Sequence, residues 1–212
     1  HRDLHLSLRR QRQMCIRDSL SNTRSLILNS TFTSGFDSVS PIVDLRRLSI
    51  ICIANKINND STNETNAQGG NALAKYITKR VIMDEGFDAE DIKVLITAHK
   101  PSGSQIEVYY KISHASDETL FDDRPYVKME QVTDATLFST TALDVNEWKE
   151  YDYKIPNASM TGIAGEVQYT GIQSGNPVFT GFKTMAIKIV LLSTSTVLIP
   201  KLKDMRTIAL SV

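Results

Sequence analysis

The strongest constraint on what this chain can become is a period-two alternation across positions 91–112. Ile92, Val94, Ile96 and Ala98 alternate with Lys93, Leu95 and Thr97, and further on Ile106, Val108, Tyr110 and Ile112 alternate with Glu107, Tyr109 and Lys111. A period of two sends each set to one face of an extended strand, so two strands are predicted, each with one buried face. Between them stands Lys100-Pro101-Ser102-Gly103-Ser104. Proline presets φ for the second position of a turn, and glycine accepts the positive φ that closes it. The two strands are therefore expected to pair as a β-hairpin.

From residue 20 onward the same texture recurs: short runs rich in Ile, Val, Thr and Tyr, separated by Gly, Pro, Asn, Asp and Ser. Residues 182–192 form a second strong strand, with Met185, Ile187, Ile189 and Leu191 on one face and Ala186, Lys188, Val190 and Leu192 on the other. Apolar residues on both faces mark it as central and covered on both sides. Further strands are expected at 24–29, 47–57, 75–83, 126–132, 148–155 and 205–212, and a short helix at 142–149. Turn signals at short intervals favour an all-β, antiparallel β-sandwich, with a jelly-roll wrap the expected topology.

The expected organisation has four parts. Residues 58–71 read NNDSTNETNAQGGN, with one alanine as the only apolar side chain. Such a stretch buries too little to order itself, so 58–72 reads as a polar linker or long loop. The β-sandwich domain then covers 73–212. Residues 20–57 form a partial preceding β segment, read as the tail of an earlier domain. Asp44-Leu45-Arg46-Arg47-Leu48-Ser49-Ile50 and Asp204-Met205-Arg206-Thr207-Ile208-Ala209-Leu210 share a pattern, each following a proline, as two closing strands would. Residues 1–19, with five arginines against Asp3 and Asp18, break from everything that follows. The string RRQRQMCIRDS resembles a translated sequencing adapter of the kind met in short-read environmental assemblies, and 1–19 is set aside as non-native.

Charge excludes two function classes. The 24 basic and 24 acidic residues cancel, so no net field draws the chain to nucleic acid or to an acidic membrane surface. Without the five arginines and two aspartates of 1–19, the remainder carries 19 basic and 22 acidic residues. Cys15 and Cys52 are too few for a disulfide framework and lack zinc-ligand spacing. No apolar run approaches the roughly 20 residues of a membrane span.

The chemistry-bearing residues offer three weak constellations. His99 and His114 flank the expected hairpin and would meet across it as metal ligands. Asp117, Glu118, Asp122 and Asp123 supply oxygen ligands suited to calcium, but without calcium-loop spacing. Tyr109, Tyr110, Trp148, Tyr151, Tyr153 and Tyr169 would stack on sugars if exposed together, and Tyr151 and Tyr153 share a strand face. No phosphate loop, nucleophile elbow or Cys/His dyad occurs. No catalytic, cofactor-binding or metal-binding residue is assigned, no cofactor is expected, and the chain is read as not an enzyme.

Several strings together carry a family resemblance. They are Ser40-Pro41-Ile42-Val43-Asp44-Leu45, Ala74-Lys75-Tyr76-Ile77-Thr78-Lys79, Phe87-Asp88-Ala89-Glu90-Asp91-Ile92-Lys93-Val94 and Val108-Tyr109-Tyr110-Lys111. Phe121-Asp122-Asp123-Arg124-Pro125-Tyr126, Ile187-Lys188-Ile189-Val190-Leu191-Leu192-Ser193 and Lys203-Asp204-Met205-Arg206 complete the set. The chain resembles virion structural proteins of contractile-tailed marine bacteriophages, of the baseplate or tail-fibre kind. The resemblance implies a β-module that works by contacts with other virion proteins, located in the virion, with a homo-oligomer as one form. Candidate contact anchors are Arg124, Tyr126 and Trp148. The alternative is a carbohydrate-binding module for a host-surface glycan.

Overall fold

The computed structural model describes residues 31–36, 38, 41–44, 55–139, 147–161 and 165–211. The chain divides into two compact units, His1–Ala54 and Asn55–Val212. In the first, the described residues carry no strand or helix. The strand expected at 24–29, most of that at 47–57 and the first Asp/Arg echo lie outside the described residues. So do 142–146 of the expected helix, and its remaining residues lead into a strand.

The described residues of the second unit form eleven strands. They are β1 (Ala74–Ile77), β2 (Val81–Ile82), β3 (Asp91–His99), β4 (Ser104–Ser113), β5 (Val127–Lys128), β6 (Glu130–Gln131), β7 (Lys149–Lys154), β8 (Gln168–Thr170), β9 (Val178–Thr180), β10 (Thr184–Ser193) and β11 (Lys201–Leu210). One sheet runs β1-β10-β4-β5, with β2 also on β10; a second runs β11-β3-β7-β6; β8 and β9 form a small pair. Every pairing is antiparallel. The unit is an all-β antiparallel sandwich.

The expected β-hairpin of 91–112 is corrected by this topology. β3 and β4 do not pair with each other, because β3 lies in the second sheet between β11 and β7 while β4 lies in the first between β10 and β5. The turn, closed by Ser104 N–H on Pro101 O at 3.1 Å, is an arch from one sheet to the other. Alternation looks the same in both cases, since an arch also leaves one face of each strand buried. Here the two faces meet: Ile92, Val94, Ile96 and Ala98 pack with Ile106, Val108, Tyr110 and Ile112, joined by Tyr151, Tyr153, Met185, Ile187 and Ile189 in one core.

β10 and β11 make the same crossing. β4 pairs with β10 from Ser104↔Ser193 to Thr184↔Ser113, and β3 pairs with β11 from Lys201↔His99 to Leu210↔Asp91. The two halves are one antiparallel ribbon, 91–113 against 184–210, folded across the sandwich.

Two expected strands are broken for a visible reason. In 75–83 the chain leaves β10 after Thr78, whose N–H still donates to Ile187 O, and returns at Val81, giving β1 and β2. In 126–132 it passes between layers: β5 joins the first sheet, β6 the second, and Met129 between them is buried with its N–H on Val108 O at 2.8 Å. The central strand expected at 182–192 is β10, with Val190 and Leu192 buried on its second face beside Ala72, Tyr109 and Tyr126.

Candidate functional site

The covering of that second face is the densest chemistry in the described chain. Along β4 and β10 the outward residues include Tyr109, Lys111 and Lys188, with Tyr109 directly opposite Lys188 and Lys111 opposite Ala186. A lysine in such a position normally reaches water. Lys111 and Lys188 are instead buried, at 4% and 1% exposure, because two loops close over them.

One loop is the polar segment 58–72. It is the long loop of the two alternatives read from sequence, and it belongs to the compact unit that begins at Asn55 rather than at residue 73. Its order comes from Glu64. That carboxylate accepts from Lys75 Nζ at 2.8 Å, Ala72 N–H at 2.9 Å and Lys188 Nζ at 3.0 Å, and Lys188 also donates to the Glu64 carbonyl. Burial pushes the Glu64 carboxyl up, but the bonds from Lys75, Ala72 and Lys188 outweigh it and hold it below its ordinary value. Asn58 and Asp60 fasten the loop base through Leu73 N–H and the Asn71 side chain.

The other loop, between β4 and β5, supplies Tyr126 and Phe121. The Lys188 ammonium lies 4.2 Å from the centre of the Tyr126 ring and the Lys111 ammonium 4.4 Å, both within cation–π range. Lys111 donates to the carbonyls of Ala67 and Asp122, so it ties both loops to the sheet. Burial lowers the pKa of both lysines. Every ammonium here is spent on an internal acceptor, so the layer fastens loops and presents no reactive group to a substrate.

The acidic loop proves to be partly internal. The Asp117 side chain is fully buried: its carboxylate accepts from Tyr169 OH and Thr119 N–H, each at 3.0 Å, and stands 3.2 Å from Arg124 Nη1. The Arg124 guanidinium rests 4.1 Å from the centre of the Tyr169 ring, and its Nε and Nη1 make no hydrogen bond. The approach to Asp117 is thus an ion pair without fork geometry. Burial, helped by Asp117, pushes the Tyr169 hydroxyl up to about 12. Asp122 and Asp123 lie apart, in a single 3₁₀ turn.

The histidines do not meet. His99 ends β3 at the arch and His114 follows the far end of β4, a strand of ten residues, so about 30 Å of extended chain separates them. His99 is buried against Trp148, with Nδ1 3.2 Å from Glu147 O. His114 stacks on Phe179, and its Nδ1 accepts from Ser116 N–H. Among the described residues no group of three or more His, Cys, Asp or Glu side chains is placed to hold a metal ion. No described helix is long and apolar enough to cross a membrane.

Four of the six aromatics are core rather than platform, while Trp148 and Tyr169 are half-buried. Tyr109, Tyr110, Tyr151 and Tyr153 are buried, and the shared face of Tyr151 and Tyr153 is the one turned inward. Of the contact anchors read from sequence, Arg124 and Tyr126 are buried too. A cleft of about 490 Å³ opens by the arch and is lined by Asn59, Gln105, Glu107, Gln131, Phe138 and Tyr153 among others.

Glu64, Lys75, Lys111 and Lys188 were not singled out from the sequence. The available signal was Lys188, one cation on a strand face otherwise made of Ala186, Val190 and Leu192. Comparison with known protein families, curated proteins and solved structures returned no match.

Proposed function

We propose that this chain is a structural module of a phage virion, in the tail or baseplate, and that it works through contacts with other virion proteins. The carrying observation is a row of exposed apolar side chains along one edge of the first sheet: Leu73, Tyr76, Ile77, Val81 and Ile82, each 45–57% exposed. Runs of this kind on an unpaired edge are sites of association. The buried charges, by contrast, are engaged internally. The resemblance of the strings quoted above to tail and baseplate proteins gives the module its setting. Antibody raised against the purified chain should decorate tails or baseplates in electron micrographs of contractile-tailed marine phage, with its peptides present in the purified particles. Peptides confined to infected-cell lysate and absent from particles would count against the reading.

A second reading, binding of a host-surface glycan, is favoured by one feature. The cleft by the arch is lined by Asn59 and Gln105 together with Phe138, and planar amides supply the paired donors and acceptors that sugar hydroxyls need. Binding on a bacterial polysaccharide array, abolished by Gln105→Ala, would establish it.

A further inference from the structure

The segment Lys79-Arg80-Val81-Ile82-Met83-Asp84-Glu85 has charges that are antisymmetric about Ile82: two cations, three apolar residues, two anions. It lies on the edge of the first sheet, where among the described residues β2 pairs only with β10. Met83 N–H donates to Lys183 O at 2.9 Å, and Val81 stands opposite Met185 in the same register. By the alternation of an antiparallel ladder, the N–H and C=O of Ile82 therefore point the other way, to the open edge. Val81 and Ile82 are 45% and 57% exposed, and Phe87 just beyond is 75% exposed. Lys79, Arg80, Asp84 and Glu85 have no ion-pair partner among the described residues.

We infer that this edge docks a second copy of the chain, antiparallel about a two-fold axis at Ile82, so that the first sheet continues from one copy into the other. In that register the two Ile82 residues exchange backbone hydrogen bonds. Arg80 faces Asp84 of the partner subunit, and Lys79 lies beside Glu85 of the partner subunit, which stands in the turn closed by Phe87 N–H on Asp84 O. Each pairing occurs twice, because a two-fold interface presents the same patch from both sides. Edge strands are commonly guarded by charges of one sign, which repel any partner. Here opposite signs lie at equal distances from the centre. They attract in this register, and in a parallel pairing they would place like on like. The pattern thus selects both partner and orientation.

The inference deepens the reading of the chain as an assembly module, and its test is independent of where the chain resides. Molar mass by light scattering, on the full chain over a dilution series, should show twice the monomer mass at high concentration and monomer on dilution, with added salt favouring monomer. Lys79→Glu with Arg80→Glu should weaken association at least about tenfold, and Asp84→Lys with Glu85→Lys likewise, through like-charge opposition. The two variants mixed in equal amounts should recover the dimer mass, because the reversed pair of one then faces the reversed pair of the other and native faces native, with opposite signs in both. That recovery also shows both variants folded. A wild-type monomer at every concentration, a dimer indifferent to both variants, or a mixture that stays monomeric would each overturn the proposal. Failure to find the chain in particles would instead remove the virion reading and leave the dimer standing.

Discussion

Lys188 Nζ and the Glu64 carboxylate stand 3.0 Å apart, though 124 positions apart in the chain, with at most 1% of either side chain reached by solvent. A loop almost without apolar residues is ordered by that relationship: its one buried carboxylate finds two ammoniums and a backbone N–H waiting on the sheet. A buried ion pair does little for stability relative to apolar replacements, yet removing one partner strands the other.

Glu64→Gln should therefore destabilise the fold by about 3–5 kcal/mol, measured by urea unfolding at neutral pH. The double replacement Glu64→Leu with Lys188→Met should cost less than Glu64→Gln alone. A single variant within about 0.5 kcal/mol of wild type, the usual range for exposed surface changes, would show that the pair is solvated.

Gly70 should behave as part of the same device. It has φ +101°, and a Cβ placed there would collide with the Glu64 carboxylate. Gly70→Ala is expected to cost more than the roughly 1 kcal/mol of backbone strain alone, and to be less than additive with Glu64→Gln in a double-mutant cycle.

Acid should act through the same carboxylate. The Glu64 pKa is held below its ordinary 4.5 in the folded chain, so its contribution is fully present above that value and is lost as pH falls through the depressed one. Urea midpoints should drop below about pH 4.5, and the acid-induced loss should be smaller in the Glu64→Leu, Lys188→Met double variant.

Alkali should act through the tyrosines. Burial raises the hydroxyl pKa of Tyr109, Tyr110, Tyr126, Tyr151, Tyr153 and Tyr169, with Tyr151 and Tyr169 reaching about 12. In the unfolded chain these groups ionise near 10, so stability is whole below that pH and declines above it as the unfolded state loses protons first. Absorbance at the tyrosinate band should lack the contribution of these six until the chain unfolds, and their signal should then appear together with loss of β-sheet circular dichroism.

The strands were legible in the sequence because period-two alternation records burial directly: β3, β4 and β10 fall where Ile92, Ile106 and Ile187 place them. Strand partners were not. Nothing local to 91–112 distinguishes a hairpin from an arch, since what decides is whether β10 and β11 pair with β4 and β3, some hundred residues away. The buried charge layer was hidden for a related reason. Lys111 and Lys188 look like solvated strand residues until Glu64 is brought over them, and Glu64 sits in a stretch whose composition argues against burial. His99 and His114 failed as a pair because the hairpin that would have joined them is absent.

The folded ribbon also bears on how this protein is made. Its two strands lie some ninety residues apart in the chain, so β3 and β4 have nothing to pair with in register until β10 and β11 leave the ribosome. Contacts that span so much chain form slowly. The nascent chain must carry the bare faces of Ile92 to Ile112 until those partners arrive, exposed meanwhile to aggregation and to chaperones.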